Sequence, residues 1–155
     1  MAARITSRRH QQATTTVEFA IVGLVFFMVL FGLIDMSRIF FSLAALDEST
    51  RRGARVAAVC PVNDPVVTQV ALFNGLVPTL GPQNIAVEYL DEDGVVVGAP
   101  TGAGYGSIRY VRVRIQNFQV QTFIPGMQTV LQMPAFETTI PSESLGRVGT
   151  ADVAC

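Results

Sequence analysis

The chain has 155 residues, enough for one domain of ordinary size. Its residues are 50% hydrophobic and only 15% charged, whereas about 25% are charged in typical soluble domains. A formal net charge of −1 argues against a nucleic-acid-binding surface, and two cysteines are too few for a disulfide-rich scaffold or a four-thiolate zinc site.

The first notable element is an apolar run near the N-terminus. Phe19–Ile34 contains 16 residues without a charge, and Arg4, Arg8 and Arg9 precede it. At about 1.5 Å per residue, a helix of this length spans about 24 Å, less than the roughly 30 Å hydrocarbon core of a bilayer. A basic leader followed by an apolar run predicts a targeting segment or an N-terminal membrane anchor.

Glu18 stands directly before this run. An ionised carboxylate costs several kcal/mol in hydrocarbon. If a positive partner neutralises Glu18, the membrane window extends over Thr14–Ile34, and 21 helical residues reach about 31 Å, which spans the bilayer. The alternative is a hydrated, unpaired Glu18 at the level of the headgroups.

Helical periodicity continues beyond the apolar run. Apolar or small residues recur at spacings of three and four, at Ile39, Leu43, Leu46, Thr50, Ala54 and Ala57. Asp47 with Arg51, and Glu48 with Arg52, form i,i+4 pairs typical of a solvated helix face. Because the residue before a proline is disfavoured in the helical region, Pro61 is expected to end the helix.

A second, short helix is predicted after this break. Asp64 suits the N-cap and Pro65 the first helical position. Its expected apolar stripe is Val66, Val70, Phe73 and Val77. Gly75 or Pro78 is expected to end it.

Strand patterns dominate the rest of the chain. We expect a hairpin of Ile85–Leu90 and Val95–Val97 around the turn 91–94. In Ile108–Ile115, alternation places Val111, Val113 and Ile115 inward and Arg112 and Arg114 outward. Phe118–Ile124 is expected to pair with that strand. Phe136, Thr138 and Ile140 would form one face of a last strand before Pro141. The loop 101–106 has neither the glycine spacing nor the lysine of a phosphate-binding loop.

The segment Ala13-Thr14-Thr15-Thr16-Val17-Glu18-Phe19-Ala20, followed by an apolar run, resembles the start of TadE/TadF-type pseudopilins. These are minor subunits of the Tad (Flp, tight-adherence) pilus system. The stretch from Ala44-Ala45-Leu46-Asp47 to Arg51-Arg52-Gly53-Ala54-Arg55-Val56-Ala57 is also similar to the family's second helical half. The resemblance covers roughly residues 8–60.

The resemblance implies cleavage by a prepilin peptidase. The cut would fall between Ala13 and Thr14, which makes Glu18 the fifth mature residue. The family usually has glycine before the cut, whereas this chain has Ala13. In the family, the glutamate pairs with the N-terminal amine of a neighbouring subunit, so Glu18 would set axial register during assembly.

Two other fates of the N-terminus stay open. A conventional signal peptidase could cut after Ser42-Leu43-Ala44, because small residues occupy the positions such enzymes prefer. The apolar run could also stay as an uncleaved anchor.

Little in the sequence suggests catalysis. The one histidine, His10, lies in the leader, and a chain cut after Ala13 would have none. That excludes Ser-His-Asp and Cys-His catalysis and histidine-ligated metal sites in the cut chain. We expect no enzyme activity, no cofactor and no metal, and read the acids 91–93 as a solvated turn.

Cys60 and Cys155 could form a disulfide. It would close a long loop, stabilise the fold by roughly 4 kcal/mol and suit a compartment outside the cytoplasm. Two free thiols are the alternative.

These observations predict an α+β, pilin-like protein. A leader (1–13), a transmembrane helix (14–34) and an amphipathic continuation (35–60) precede an extracytoplasmic head (61–155) with a small antiparallel sheet and one short helix. The resemblance implies the function of a minor pilin in the bacterial inner membrane, which supports assembly of a Tad (Flp) type IV pilus after processing. Its expected partners are the membrane, the prepilin peptidase, other pilins and the assembly machinery, with no nucleic acid or small-molecule substrate. The alternatives are a membrane-anchored binding module and a secreted protein.

Overall fold

A computed structural model describes residues 5–123, 129–148, 151–152 and 154–155. The chain forms two compact units. One contains residues 1–38 and 121–129, and the other contains residues 39–120 and 130–155.

One long helix begins the structure. α1 runs over Ile5–Val59, so it starts nine residues before Thr14, the start of the predicted membrane window. It ends two residues before Pro61, as expected from the restriction that proline places on its predecessor. The long N-terminal helix followed by a small antiparallel sheet and a short helix confirms the predicted α+β class.

The second helix is shorter than predicted. α2 covers Pro65–Ala71, and the carboxylate of Asp64 caps it by accepting a hydrogen bond from the Val66 N–H at 2.9 Å. The predicted end at Gly75 or Pro78 is wrong, because the chain enters the left-handed region at Phe73 and continues as a 3-10 helix over Phe73–Gly75.

The predicted stripe of α2 also needs correction. The helix buries Val67 and Ala71, whereas Val66 and Val70 are only half-buried. A two-turn helix buries the residues that face the neighbouring helix, and α1 lies on the Val67 side. Val77, beyond the helix, is buried as predicted.

A three-stranded antiparallel sheet forms the centre of the second unit. A 3-10 helix, Pro82–Asn84, leads into β1 (Ile85–Leu90), and another, Tyr105–Ser107, precedes β2 (Tyr110–Ile115). β2 lies between β1 and β5 (Phe136–Pro141). As predicted, Val111, Val113 and Ile115 are fully buried, while the intervening arginines point outward.

The predicted hairpin around the turn 91–94 forms, but Val95–Val97 is not a strand. It contributes one antiparallel bridge, between Leu90 and Val96, and a hydrogen bond from the Val97 N–H to the Tyr89 carbonyl oxygen at 2.8 Å. A second predicted pairing is wrong. Phe118–Ile124 does not pair with β2. Instead β3 (Gln119–Gln121) pairs with β4 (Val130–Gln132) in a separate sheet, because Asn117 adopts a left-handed conformation that turns the chain away from β2. Ile124 lies outside the described residues.

The chain continues beyond the predicted last strand, which itself includes Pro141. β6 (Arg147–Val148) and β7 (Ala151–Asp152) form a third, two-stranded antiparallel sheet. Neither strand was predicted, since two-residue strands are too short to produce an alternating pattern.

The core lies between α1, α2 and the central sheet. Ala54 and Ala57 of α1 pack with Val67, Val111 and Val113 in one cluster of buried residues. The second cluster is built from Ala45, Leu46, Val77, Leu80, Ile115, Phe118, Val120 and Met133. The helix therefore buries the face that its three- and four-residue spacing predicts.

Gly53 lets α2 and the sheet approach α1 closely. A Cβ atom at this position would lie 2.9 Å from the Ala71 Cβ and 3.3 Å from the Val113 Cγ1. Both neighbours belong to packed elements, so neither can move without disturbing the core.

We therefore expect Gly53→Ala to destabilise the protein. Overpacking costs roughly 1–3 kcal/mol, which exceeds the gain of up to about 1 kcal/mol in helix propensity. The measurement is urea-induced unfolding of the full chain in detergent micelles. Gly98→Ala, where no atom lies within 4 Å of the added Cβ, is the matched control. A Gly53→Ala protein as stable as the parent would contradict this packing.

Candidate functional site

The N-terminal half of α1 presents an apolar surface on all sides. Every side chain of residues 14–34 is exposed, apart from the glycines at 23 and 32, which are intermediate. Phe19, for example, is 79% exposed. α1 is long and apolar enough to cross a membrane, and the most hydropathic part of Thr14–Val59 is entirely unburied. A helix that is apolar all round belongs in hydrocarbon or in a bundle of like helices.

Glu18 interrupts this surface. Its side chain is exposed between Val17 and Phe19, which are 58% and 79% exposed. Within the part of the chain that the structure describes, Glu18 forms no ion pair. Because its side chain is exposed, the carboxylate is accessible to a positive group on another molecule.

The predicted processing site lies inside α1. The backbones of Ala13 and Thr14 are both helical, because the helix begins at Ile5. The side chain of Ala13 lies outside the described residues, and that of Thr14 is exposed. A protease that binds extended substrates would have to unwind this part of the helix before cutting.

Asp35 is a residue whose role the sequence did not indicate. Although it follows directly on the exposed apolar run, only 4% of its surface is exposed. One carboxylate oxygen accepts a hydrogen bond from the Phe123 N–H at 2.7 Å, and the other lies 3.1 Å from an Arg38 guanidinium nitrogen. The i,i+3 spacing of Asp35 and Arg38 could have suggested the ion pair, but no sequence signal identifies Phe123.

Further along α1, a charged face is solvated as predicted. Arg51 lies 3.0 Å from Asp47, and Arg52 lies 2.7 Å from Glu48, with all four side chains about half exposed. The Arg52 guanidinium also lies 4.1 Å from the centre of the Phe73 ring. Exposed pairs of this kind contribute at most about 1 kcal/mol each.

The carboxylates and the tyrosine with shifted pKa values take part in contacts that stabilise the fold. A hydrogen bond from Arg52 lowers the pKa of Glu48, and one from Arg114 lowers the pKa of Glu137. Burial raises the pKa of Tyr89, against a hydrogen bond from the Asn63 N–H to its hydroxyl at 3.0 Å.

In the acidic turn 91–94, backbone N–H groups bind one of the carboxylates. One Asp91 carboxylate oxygen accepts hydrogen bonds from the N–H groups of Asp93, at 3.0 Å, and Val95, at 2.8 Å. Gly94, with a φ of 78°, closes the turn. Across the described residues, no group of three or more metal-binding side chains converges.

The C-terminal segment closes the end of α1. The carbonyl oxygen of Ala58 accepts hydrogen bonds from the N–H groups of Glu143 and Leu145, at 3.0 and 3.3 Å. That of Val59 accepts from the Gly146 N–H at 2.6 Å and the Ser144 hydroxyl at 3.0 Å. Gly146 has a φ of 76°, and a side chain there would collide with the Pro61 ring.

A disulfide adds a covalent link at the same place. Cys60 follows the last residue of α1 and is joined to Cys155, with Cα atoms 5.7 Å apart and a sequence separation of 95. We call this link, together with the hydrogen bonds of 143–146, the C-terminal clasp.

Comparison with known proteins identifies the N-terminal segment. Residues 13–55 match the family model described as TadE-like protein. This region is less than a third of the chain, and it confirms the resemblance seen in the sequence. No curated protein sequence and no solved structure matches the chain. Together, the match and the exposed apolar helix fit a membrane-anchored protein associated with a Tad pilus.

Breaking the disulfide should destabilise the second unit. Cys155→Ser leaves the buried Cys60 side chain in place, so no core cavity forms. The free energy of unfolding should fall by about 2–4 kcal/mol, because the unfolded chain regains the entropy of an open loop. Urea unfolding of the full chain in micelles measures this change. A reductant should lower the stability of the parent to the same value and leave the variant unaffected. A parent protein insensitive to reductant would contradict the prediction.

Proposed function

We propose that this chain is a minor pilin that supports assembly of a Tad-type pilus. Residues 14–34 would anchor it in the inner membrane of a bacterium, with the 61–155 region outside the cytoplasm. The observation that carries the proposal concerns α1. The TadE-like match at 13–55 falls on a helix whose apolar side chains are exposed over residues 14–34 and which buries one face from residue 45 onward. Such a helix can first cross a bilayer and later pack in a filament core.

The Cys60–Cys155 disulfide supports the extracytoplasmic orientation. Disulfides persist in oxidising compartments and are rare in the cytoplasm. The leader carries Arg4, Arg8 and Arg9, but arginines also follow the anchor, so charge by itself does not orient the helix. The disulfide is therefore the stronger argument.

Glu18 would act as the register charge of assembly. A carboxylate among apolar side chains needs a positive partner once lipid or neighbouring helices exclude water. Cleavage between Ala13 and Thr14 would create one, the α-amine of Thr14. Because Glu18 is exposed, the amine of an adjacent subunit can reach it. One buried ion pair per contact would set the axial position of each helix against the next.

The geometry of α1 disfavours conventional signal cleavage after Ala44. That cut would remove Asp35, which binds the Phe123 backbone, and Ile39 and Leu43, which pack against the second core cluster. The remaining domain would expose the apolar surface that these residues cover. Retention of the whole segment 14–60 is the more stable arrangement.

The mature N-terminus tests the proposed cleavage. Protein isolated from its own membranes should begin at Thr14, which takes the formal charge from −1 to −4 because three arginines leave with the leader. Intact mass measurement and N-terminal sequencing test this. Ala13→Gly should be cut at least as completely, and Ala13→Leu should accumulate uncut. A start at Ala45 would overturn the pilin proposal, and an intact leader would overturn the processing step.

Substitution of Glu18 tests its proposed role in assembly. Glu18→Gln should insert into membranes normally, since it removes a charge from the span, but pilus assembly should be lost because the amine has no ionised partner. Membrane fractionation and pilus counts, after complementation of a deletion strain, measure the two effects separately. Glu48→Gln, which removes an exposed carboxylate from the same helix, is the matched control and should assemble. Normal piliation with Glu18→Gln would refute the register role.

A further inference from the structure

In the described part of the loop between β3 and β4, the backbone of Phe123 is bound to α1. The buried carboxylate of Asp35 accepts the hydrogen bond from the Phe123 N–H at 2.7 Å and pairs with Arg38 at 3.1 Å. The Arg38 guanidinium in turn lies 4.2 Å from the centre of the Phe123 ring. Both carboxylate oxygens are thus used, and a backbone group and a ring are held against one turn of the helix.

The Phe123 ring is nevertheless open to its surroundings. It is 62% exposed, although the backbone of the same residue is fixed by Asp35. Met36, beside Asp35 on α1, is also 51% exposed. Phe123 and Met36 thus extend the exposed apolar surface of residues 19–34, and an exposed apolar surface of this size marks a site of contact with a membrane or a protein.

The position of Asp35 along α1 indicates which surroundings the Phe123 ring contacts. The exposed apolar surface ends at Ile34, one residue before Asp35. If residues 14–34 cross the hydrocarbon, Asp35 and the group bound to it lie where the helix leaves the hydrocarbon. At this level, apolar side chains such as phenylalanine contact the acyl chains, and arginine keeps its guanidinium at the level of the phosphates.

We propose that Phe123 and Arg38, positioned by Asp35, form a contact surface for phospholipid headgroups. Phe123 inserts its ring at the boundary of hydrocarbon and headgroups, and Arg38 places its guanidinium at the level of the lipid phosphates. The loop would thus become a second point of contact with the bilayer, besides the helix. This inference rests on the membrane anchoring in the proposed function, but it needs neither cleavage at Ala13 nor the role of Glu18.

The absence of tryptophan from the sequence permits a direct test. Phe123→Trp places the one tryptophan of the full chain at the proposed contact. The protein is reconstituted in vesicles of phosphatidylethanolamine and phosphatidylglycerol that carry a nitroxide either on the headgroup or near the bilayer centre. We expect emission at shorter wavelength than in water, and quenching roughly twofold stronger by the headgroup nitroxide than by the central one.

Phe73→Trp is the matched control. Phe73 also stacks with an arginine of α1, but Arg52 lies 17 residues beyond Asp35, about 26 Å further along the helix. Its emission should be insensitive to both nitroxides. Adding Asp35→Ala to Phe123→Trp should weaken the headgroup quenching, since the loop loses its hydrogen bond, while the disulfide stays intact.

The outcomes separate this inference from the proposed function. If the chain fails to insert into vesicles, the anchoring and the lipid contact both fall. If it inserts but the tryptophan at 123 emits as in water, unquenched, only the lipid contact is refuted. A third outcome is a short-wavelength emission that depends on the protein-to-lipid ratio and is quenched by neither nitroxide. It would show that a second copy of the chain covers the ring, and it would also refute the lipid contact.

Discussion

The end of α1 is the constraint on which the folded domain depends. A helix leaves its last carbonyl groups without partners inside the helix, and α1 ends against the domain core. The C-terminal clasp supplies the missing donors from residues 143–146 to Ala58 and Val59. The Cys60–Cys155 disulfide then links the chain's last residue to the residue after α1. Residues distant in sequence thereby complete the helix, which makes the position of α1 inseparable from the folding of the rest of the domain.

The same helix meets two different surroundings. Over 19–34 it is apolar on all sides, which suits contact with lipid or with other helices. From residue 45 onward it buries a face of small residues, and Gly53 allows α2 to approach within van der Waals contact. Ion pairs then occupy the outward face. Asp35 lies at the change between these regions, where a carboxylate is tolerated because a backbone N–H and an arginine satisfy both of its oxygens.

Local patterns predicted the elements better than their pairing. The cap at Asp64, the end of α1 before Pro61 and the inward face of β2 followed from rules that act within a few residues. The length of α2 and the partner of β3 did not, because left-handed residues at Phe73 and Asn117 redirect the chain. Such conformations are uncommon for non-glycine residues, and phenylalanine at 73 carries no sequence signal for one.

The sequence by itself determined the apolar helix, the isolated Glu18 beside it and the helical spacing after it, since these depend on residue type and order along one element. Its resemblance to TadE-like proteins followed from the same segment. Only the tertiary structure decided that Cys60 meets Cys155, that residues 143–146 complete α1 and that Asp35 binds the Phe123 backbone. These contacts join residues up to 95 positions apart. Their existence depends on how the whole chain packs, which no local pattern records.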